Sequence, residues 1–523
     1  MPTTIPFDLT QEGALDLHWR AHFRWPVPSS ALYERHIHLA NNYLRFAASL
    51  KSDARDIVLL GRVASLGALV DAAFAVQAEG KDSYLAGPGE LDVLRGIRTA
   101  ETFTDRNAGH HGKHGTVRHR TLRQIARTAS WSTGMTLLPN LLTPKGIALS
   151  HNSLLRDYIS HNGVSVGYRH GDAYLDKLLA TNEPAALDFD MNEVVDGFLK
   201  YVVSFPDLAP EFVQRLHTLI RPLLKSSLTL ASGTLGTLRS CPSLPNTIWT
   251  GTGARGPGRA IGLEVLRRGG EAWRFDHGGT AALSSAHAAF AANELSVSSH
   301  VVMPTQTVTT SDMMLQAKKV TANIRKTKTL GHNGDPSLNI GKAAFRKVPK
   351  SKNRRRVLYV SVAFYGFYQT STPILPGIVY LDWQVRLIEA LKSLPIELTC
   401  KPHPEGLLRG KVPGVEKLAP INPAPFEQAI KEADLLITDH PASTTFSIGL
   451  CTDRPMVLVD LGLFRFNNTV SAKLAERCRI LKATYDTNNI PQVDQSHLAE
   501  AVCGGSETAD PTFFRSIFLD TPS

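Results

Sequence analysis

The feature that most constrains this chain is the run from Ile396 to Ser447, in which two short apolar segments each stop at a polar, proline-stiffened turn. Ile396 to Cys400 reads as a strand running into Lys401-Pro402-His403-Pro404-Glu405. A helix follows around Phe426 to Glu432, and a second strand ends in Asp439-His440-Pro441-Ala442-Ser443-Thr444-Thr445. Two apolar strands with a helix between them make a unit of an open parallel sheet. Such sheets bind ligands beyond the carboxyl ends of their strands, where both polar turns fall.

A chain of 523 residues exceeds one ordinary core, so two domains of comparable size are expected. Its 43% apolar and 20% charged residues describe a folded protein rather than a disordered one. The formal charge of +10, from 57 basic and 47 acidic side chains, favours an anionic partner: nucleic acid, an acidic membrane face or a phosphorylated substrate. Five cysteines without metal-ligand spacing indicate neither a zinc site nor a disulfide framework and point to a reducing compartment. Met1 to Arg20 lacks the basic start and apolar run of a signal peptide, and no stretch of about eighteen apolar residues occurs. A cytoplasmic protein is expected, at most resting on the inner face of a membrane.

Along the chain, Ser30 to Leu50 has helical spacing, Asp56 to Leu60 reads as a buried strand, and Gly61 to Gly67 turns into an alanine-rich helix ending at Ala78. With Ser83 to Ala86 as the next strand, this is a doubly wound start, its two glycines read as packing positions rather than a phosphate turn. Arg106 to Arg127 sets four histidines among arginines and lysine. Without a carboxylate among them, that is a solvated basic loop rather than a metal site.

Gly146 to Leu149 is a strand that ends at Ser150-His151-Asn152-Ser153. Ser150 or Asn152 suits a helix cap and His151 is a candidate acceptor contact. Met191 to Leu238 is helical. Thr247 to Thr250 is a strand, followed by a flexible basic loop from Gly251 to Arg259 and a helix from Ala260 to Arg268. Gly253, Arg255 and Arg259 in that loop suit phosphate or acceptor contacts, because accessible amides and permanently charged guanidiniums wrap oxyanions. It is not a P-loop, since Gly-Lys-Ser/Thr is absent.

Glu271 to Phe275 is a strand that delivers Asp276-His277-Gly278-Gly279 at its end, with small neighbours that allow a substrate to approach the histidine. Val301 to Thr305 is the last strand of this half. The basic, glycine- and proline-bearing stretch that follows reads as a connector, giving domains 1–318 and 354–523 joined by a linker at 319–353. Val357 to Val362 restarts a buried strand, Tyr380 to Leu391 is an amphipathic helix, Val457 to Asp460 is a further strand, and Asp510 to Ser523 docks back. The fold class is α/β, with two doubly wound Rossmann-like domains facing a cleft.

Lys401-Pro402-His403-Pro404, together with Ala433 to Asp439 and Ser443-Thr444-Thr445, resembles the carboxyl-terminal domain of GT-B glycosyltransferases that make surface carbohydrates. These include the CDP-glycerol glycerophosphotransferases and the Kdo and sialic acid polymer transferases, which use an HP motif and a Ser/Thr motif on the nucleotide phosphate. Asp276-His277-Gly278-Gly279 is similar to the HGG segment of a family of bacterial surface-carbohydrate transferases. The resemblance covers Thr247 to Asp460, and Asp276 stands where Gln or Trp commonly precedes His-Gly.

It implies a glycosyltransferase moving a sugar from a CMP- or CDP-linked donor to a glycan, lipid-linked or protein acceptor. Alternatives are a CDP-polyol phosphotransferase and a non-catalytic protein that binds nucleotide or polyanionic glycan. Lys401, His403, Glu405, Asp439, Ser443, Thr444 and Thr445 would then bind the donor, and His277 and Asp276 would be catalytic, with the general base open between them. Gly278 and Gly279 would approach phosphate or acceptor. No Asp-x-Asp stretch is read as a metal motif, so neither a metal nor a cofactor beyond the donor is expected. Nucleic acid is not an expected partner, because the basic residues are scattered over loops without aromatic interleaving.

Overall fold

Strand pairing among the described residues builds two large parallel sheets, of six and five strands, with helices around them. The computed structural model describes residues 3–63, 65–79, 83–99, 146–254, 256–323, 325–340, 354–366, 375–410, 415–504 and 510–520. The basic stretch Arg106 to Arg127, Arg255 and residues 341–353 of the expected linker lie outside them.

The first sheet contains β3 (Gly146–Ala148), β4 (Gly167–Tyr168), β5 (Thr247–Thr250), β6 (Glu271–Phe275), β7 (His300–Met303) and β8 (Lys328–Gly331), in the order β4-β3-β5-β6-β7-β8. Its pairs are all parallel, with Ile147 opposite Ile248, Trp249 opposite Trp273 and Phe275 opposite Val302. Successive side chains alternate between faces. Ile147, Leu149, Ile248 and Val265 therefore pack in one cluster, while Ala148, Leu155, Trp249, Phe275 and Val302 pack in another. The second sheet holds β9 (Arg355–Val360), β10 (Ile396–Lys401), β11 (Leu435–Thr438), β12 (Met456–Asp460) and β13 (Arg479–Lys482), in the order β10-β9-β11-β12-β13. β11 is wholly buried, as an apolar run in a covered parallel strand should be.

Both sheets share one topological feature. In each, the chain places its second strand on one side of the first and its third strand on the other, so the order reverses between β3 and β5 and again between β9 and β11. Those switch points are where adjacent loops diverge and leave a crevice beyond the strand ends.

Three expectations change. Asp56 to Leu60 is not a strand but the end of the helix Ser52–Leu60, with Ile57, Val58 and Leu59 buried. A four-residue apolar run fits either element, and Asp53 in the first turn, complementing the helix dipole, belongs to a helix. Ser83–Ala86 (β2) is a strand, but it pairs with β1 (Thr3–Pro6) in a separate two-stranded sheet rather than in a doubly wound start. The expected linker contains β8, which pairs with β7 and forms the edge of the first sheet.

The glycines near Gly61 are packing positions. A Cβ on Gly61 would stand 2.9 Å from Leu228 in the helix Pro210–Ser240, and one on Gly67 would stand 3.0 Å from the His36 ring. The carboxyl-terminal helix Thr512–Leu519 docks back on the first half. Thr305 Oγ1 donates to the Ile517 carbonyl at 2.9 Å and Asp335 N to that of Phe518 at 2.8 Å. Among the described residues no helix is long and apolar enough to cross a membrane.

Candidate functional site

β6 ends at Phe275, and the chain then turns through Asp276 to Gly279. Asp276 Oδ2 accepts the Gly279 amide at 3.0 Å, which folds the turn back on itself. Gly278 and Gly279 both have positive φ, +78° and +76°. The turn is held from beside by Asn152, which donates from Nδ2 to the Asp276 carbonyl at 3.1 Å. Asn152 also caps the helix Ser153–His161 by accepting from Leu155 N. Asp276 is buried while His277 is exposed. Burial, reinforced by the nearby Asp335 carboxylate, pushes the Asp276 carboxyl up to about 7.

β11 ends at Thr438 and leads into Asp439, His440 and the helix Thr444–Cys451. Ser443 caps that helix, its Oγ accepting Phe446 N at 3.2 Å, donating to the His440 carbonyl at 3.2 Å and lying 3.0 Å from Thr445 Oγ1. The Ser443 hydroxyl is thus occupied within its own loop. Gly278 of the other half lies directly on this helix end. A Cβ added to Gly278 would stand 2.3 Å from Thr444 Oγ1, and one added to Gly279 would stand 3.1 Å from Ser447 Oγ.

Asp439 does not face a ligand. It is 2% exposed, and its carboxylate receives Tyr359 Oη at 2.6 Å, Tyr380 Oη at 2.9 Å and Trp383 Nε1 at 2.9 Å. Its place among the donor contacts is corrected accordingly: it ties β9, β11 and the helix Gly377–Lys392 together beneath the loop. Burial raises its carboxyl above the ordinary value, against the pull of those three donors.

At the end of β10, Lys401 is buried and its ammonium is lowered by that burial, opposed by Glu427. His403 is half-buried, and its Nδ1 accepts Glu405 N at 3.2 Å, leaving Nε2 to donate. His440, which motif reasoning passed over, is a buried ring lowered to about 4 by desolvation and by His403. Its signal was present, for both β6 and β11 are followed directly by Asp-His.

A cavity of about 820 Å³ sits at the switch point of the first sheet. The ends of β3 (Ser150, His151, Asn152), β5 (Thr250 to Thr252) and β6 (Phe275 to His277) line it, together with Glu405, His440, Ala442, Leu463 and Phe464 from the second half. Of the expected site residues, Asp276, His277, His151 and Glu405 meet there. Lys401, His403 and Ser443 to Thr445 do not line it.

The glycine loop after β5 is not an open oxyanion cradle. Glu294 already fills that place, accepting Gly253 N at 2.6 Å and Thr252 Oγ1 at 2.6 Å, while Ser150 Oγ accepts Gly251 N at 2.6 Å. The helix begins at Gly256, earlier than the glycines suggest. Arg259 is therefore inside the helix and 1% exposed, donating to the carbonyls of Leu59, Gly253, Ala292 and Asn293. Neither Gly253 nor Arg259 is a phosphate contact. Arg274 is likewise consumed, by Thr250 Oγ1 and the Gly258 carbonyl, and burial lowers both guanidiniums to about 10.

Among the described residues no three His, Cys, Asp or Glu side chains converge as a metal site. The fold and site together define an α/β protein of two parallel sheets with a shared cavity at their strand ends. No protein-family model matches the chain, and no curated protein matches it.

Proposed function

We propose that the protein is a GT-B-like glycosyltransferase, with the two sheets as Rossmann-like domains either side of a cleft. In this reading it moves a sugar from a CMP- or CDP-linked donor to a glycan, lipid-linked or protein acceptor. The observation that carries the reading is the contact of Gly278 with Thr444, which sets the turn after β6 against the helix end after β11 beside a cavity lined from both halves.

The acceptor occupies the cavity near His151, and the nucleotide lies over the carboxyl ends of β9 and β11. Asp276, with a carboxyl raised to about 7, is matched to neutral pH as general base. It takes the proton of the acceptor hydroxyl as that oxygen bonds to the anomeric carbon, and the bond from that carbon to the donor phosphate oxygen breaks. The departing nucleotide carries the new negative charge. The first amides of the helix Thr444–Cys451 receive it, and Lys401 and His403 from the end of β10 bind it as well. His277, exposed at the cavity wall, stabilises charge at the reacting centre.

The experiment is release of CMP or CDP from nucleotide sugars by the purified protein. Turnover should fall at least a hundredfold in Asp276→Asn, the scale of a lost general base. Unchanged turnover in that variant would remove Asp276 from the chemistry.

A further inference from the structure

Two large apolar side chains are exposed where the loops after β9 and β10 meet: Tyr365 at 45% and Leu407 at 42%. The two loops are joined on either side of Tyr365. Leu407 N donates to the Phe364 carbonyl at 2.6 Å, and a Cβ on Gly366 would stand 3.3 Å from Leu407 Cδ2. Gly406, at φ +95°, permits this approach, since a Cβ there would stand 2.6 Å from the Phe364 carbonyl oxygen.

The base of this pair is firmly held. Val362 N donates to Tyr380 Oη at 3.0 Å, and Tyr380 in turn donates to the buried Asp439, so the start of the loop after β9 is tied to the end of β11. Beneath the platform Asp8, 2% exposed, has an oxygen without a hydrogen-bond partner, and a Cβ on Gly366 would stand 3.1 Å from it. On the other side Tyr365 feels the charge of Glu405, which lines the cavity.

An exposed aromatic ring and a nearby exposed aliphatic side chain, on loop segments tied to the sheet beside its switch point, offer a surface on which a planar heterocycle stacks. We propose that Tyr365 and Leu407 form the platform for the nucleobase of the nucleotide. This rests on the reading of the second sheet as the nucleotide domain and goes beyond it by assigning the base-binding residues. The ring face supplies affinity common to all bases, so the platform binds CMP, CDP, UDP and GDP alike to first order and adds nothing to ligands that lack a base.

The test is titration calorimetry of the full chain with CDP, UDP and ribose 5-phosphate, for the wild type, Tyr365→Ala and Tyr365→Phe. Tyr365→Ala should weaken CDP and UDP by about tenfold while leaving ribose 5-phosphate unchanged, and Tyr365→Phe should bind as the wild type. Equal nucleotide affinity in wild type and Tyr365→Ala overturns the platform and leaves the nucleotide domain standing. Equal weakening of nucleotide and ribose 5-phosphate also overturns it, because the ring would then act on the loop rather than the base. A wild type that binds neither nucleotide overturns the nucleotide domain and the platform with it.

Discussion

Gly278 presses on Thr444 so closely that a single added methyl group would stand 2.3 Å from the threonine hydroxyl oxygen. The contact joins two strand-end turns more than a hundred and fifty residues apart in sequence, and it requires glycine twice over. At φ +78° a side chain costs about 1–2 kcal/mol, and the overlap adds to this. Gly278→Ala should therefore lower stability in urea by more than the backbone cost alone. Thr444→Ala should recover part of the loss, because the two substitutions share one overlap. Additive effects would mean that the turns do not meet.

Asp276 and His440 should tilt the pH dependence of stability in opposite directions. The Asp276 carboxyl is raised to about 7 from an ordinary 3.8, so the native state holds a proton the unfolded state releases. Its contribution is complete below about 4 and is lost as pH rises through 7. Asp276→Asn should consequently melt higher than the wild type at pH 8 and the difference should vanish toward pH 4. In activity, the wild-type rate should rise with pH through about 7, and that limb should be missing in the variant.

The His440 ring is lowered to about 4 from 6.5, so the folded protein resists its protonation. That contribution is complete above 6.5 and is lost as pH falls toward 4. His440→Gln should flatten the loss of melting temperature between pH 6.5 and 4. An unchanged acid slope would mean that the His440 ring is not desolvated in the folded protein.

The glycine loop after β5 binds a carboxylate of its own chain. Glu294→Ala leaves the Gly253 amide and the Thr252 hydroxyl without their acceptor, which should cost about 1–3 kcal/mol in denaturant unfolding. Sulfate should restore more stability to this variant than to the wild type, since it empties an anion place among amides. Equal sulfate effects would show that the loop collapses instead.

Much of this arrangement is legible in the sequence because strand ends are punctuated. Lys401-Pro402, Asp439-His440-Pro441 and Asp276-His277-Gly278-Gly279 each interrupt a short apolar run, and each falls just past or at the end of its strand. What sequence could not supply was burial. Arg259 and Asp439 look like ligand contacts because charged residues are rarely buried unless partnered, and their partners are carbonyls and aromatic donors distant in the chain. Glu294 was unread for the same reason, lying 41 residues beyond the amide it accepts. β8 was missed because an edge strand made of Lys328, Thr329, Leu330 and Gly331 carries little apolar pattern.

The most direct measurement is nucleotide binding by the purified protein, titrated with CMP, CDP, UDP and GDP, for the wild type and His403→Ala. The account predicts that a cytidine nucleotide binds the wild type, raises its melting temperature and loses both effects in the variant. Absence of binding by every nucleotide at millimolar concentration, or binding indifferent to His403, would contradict it.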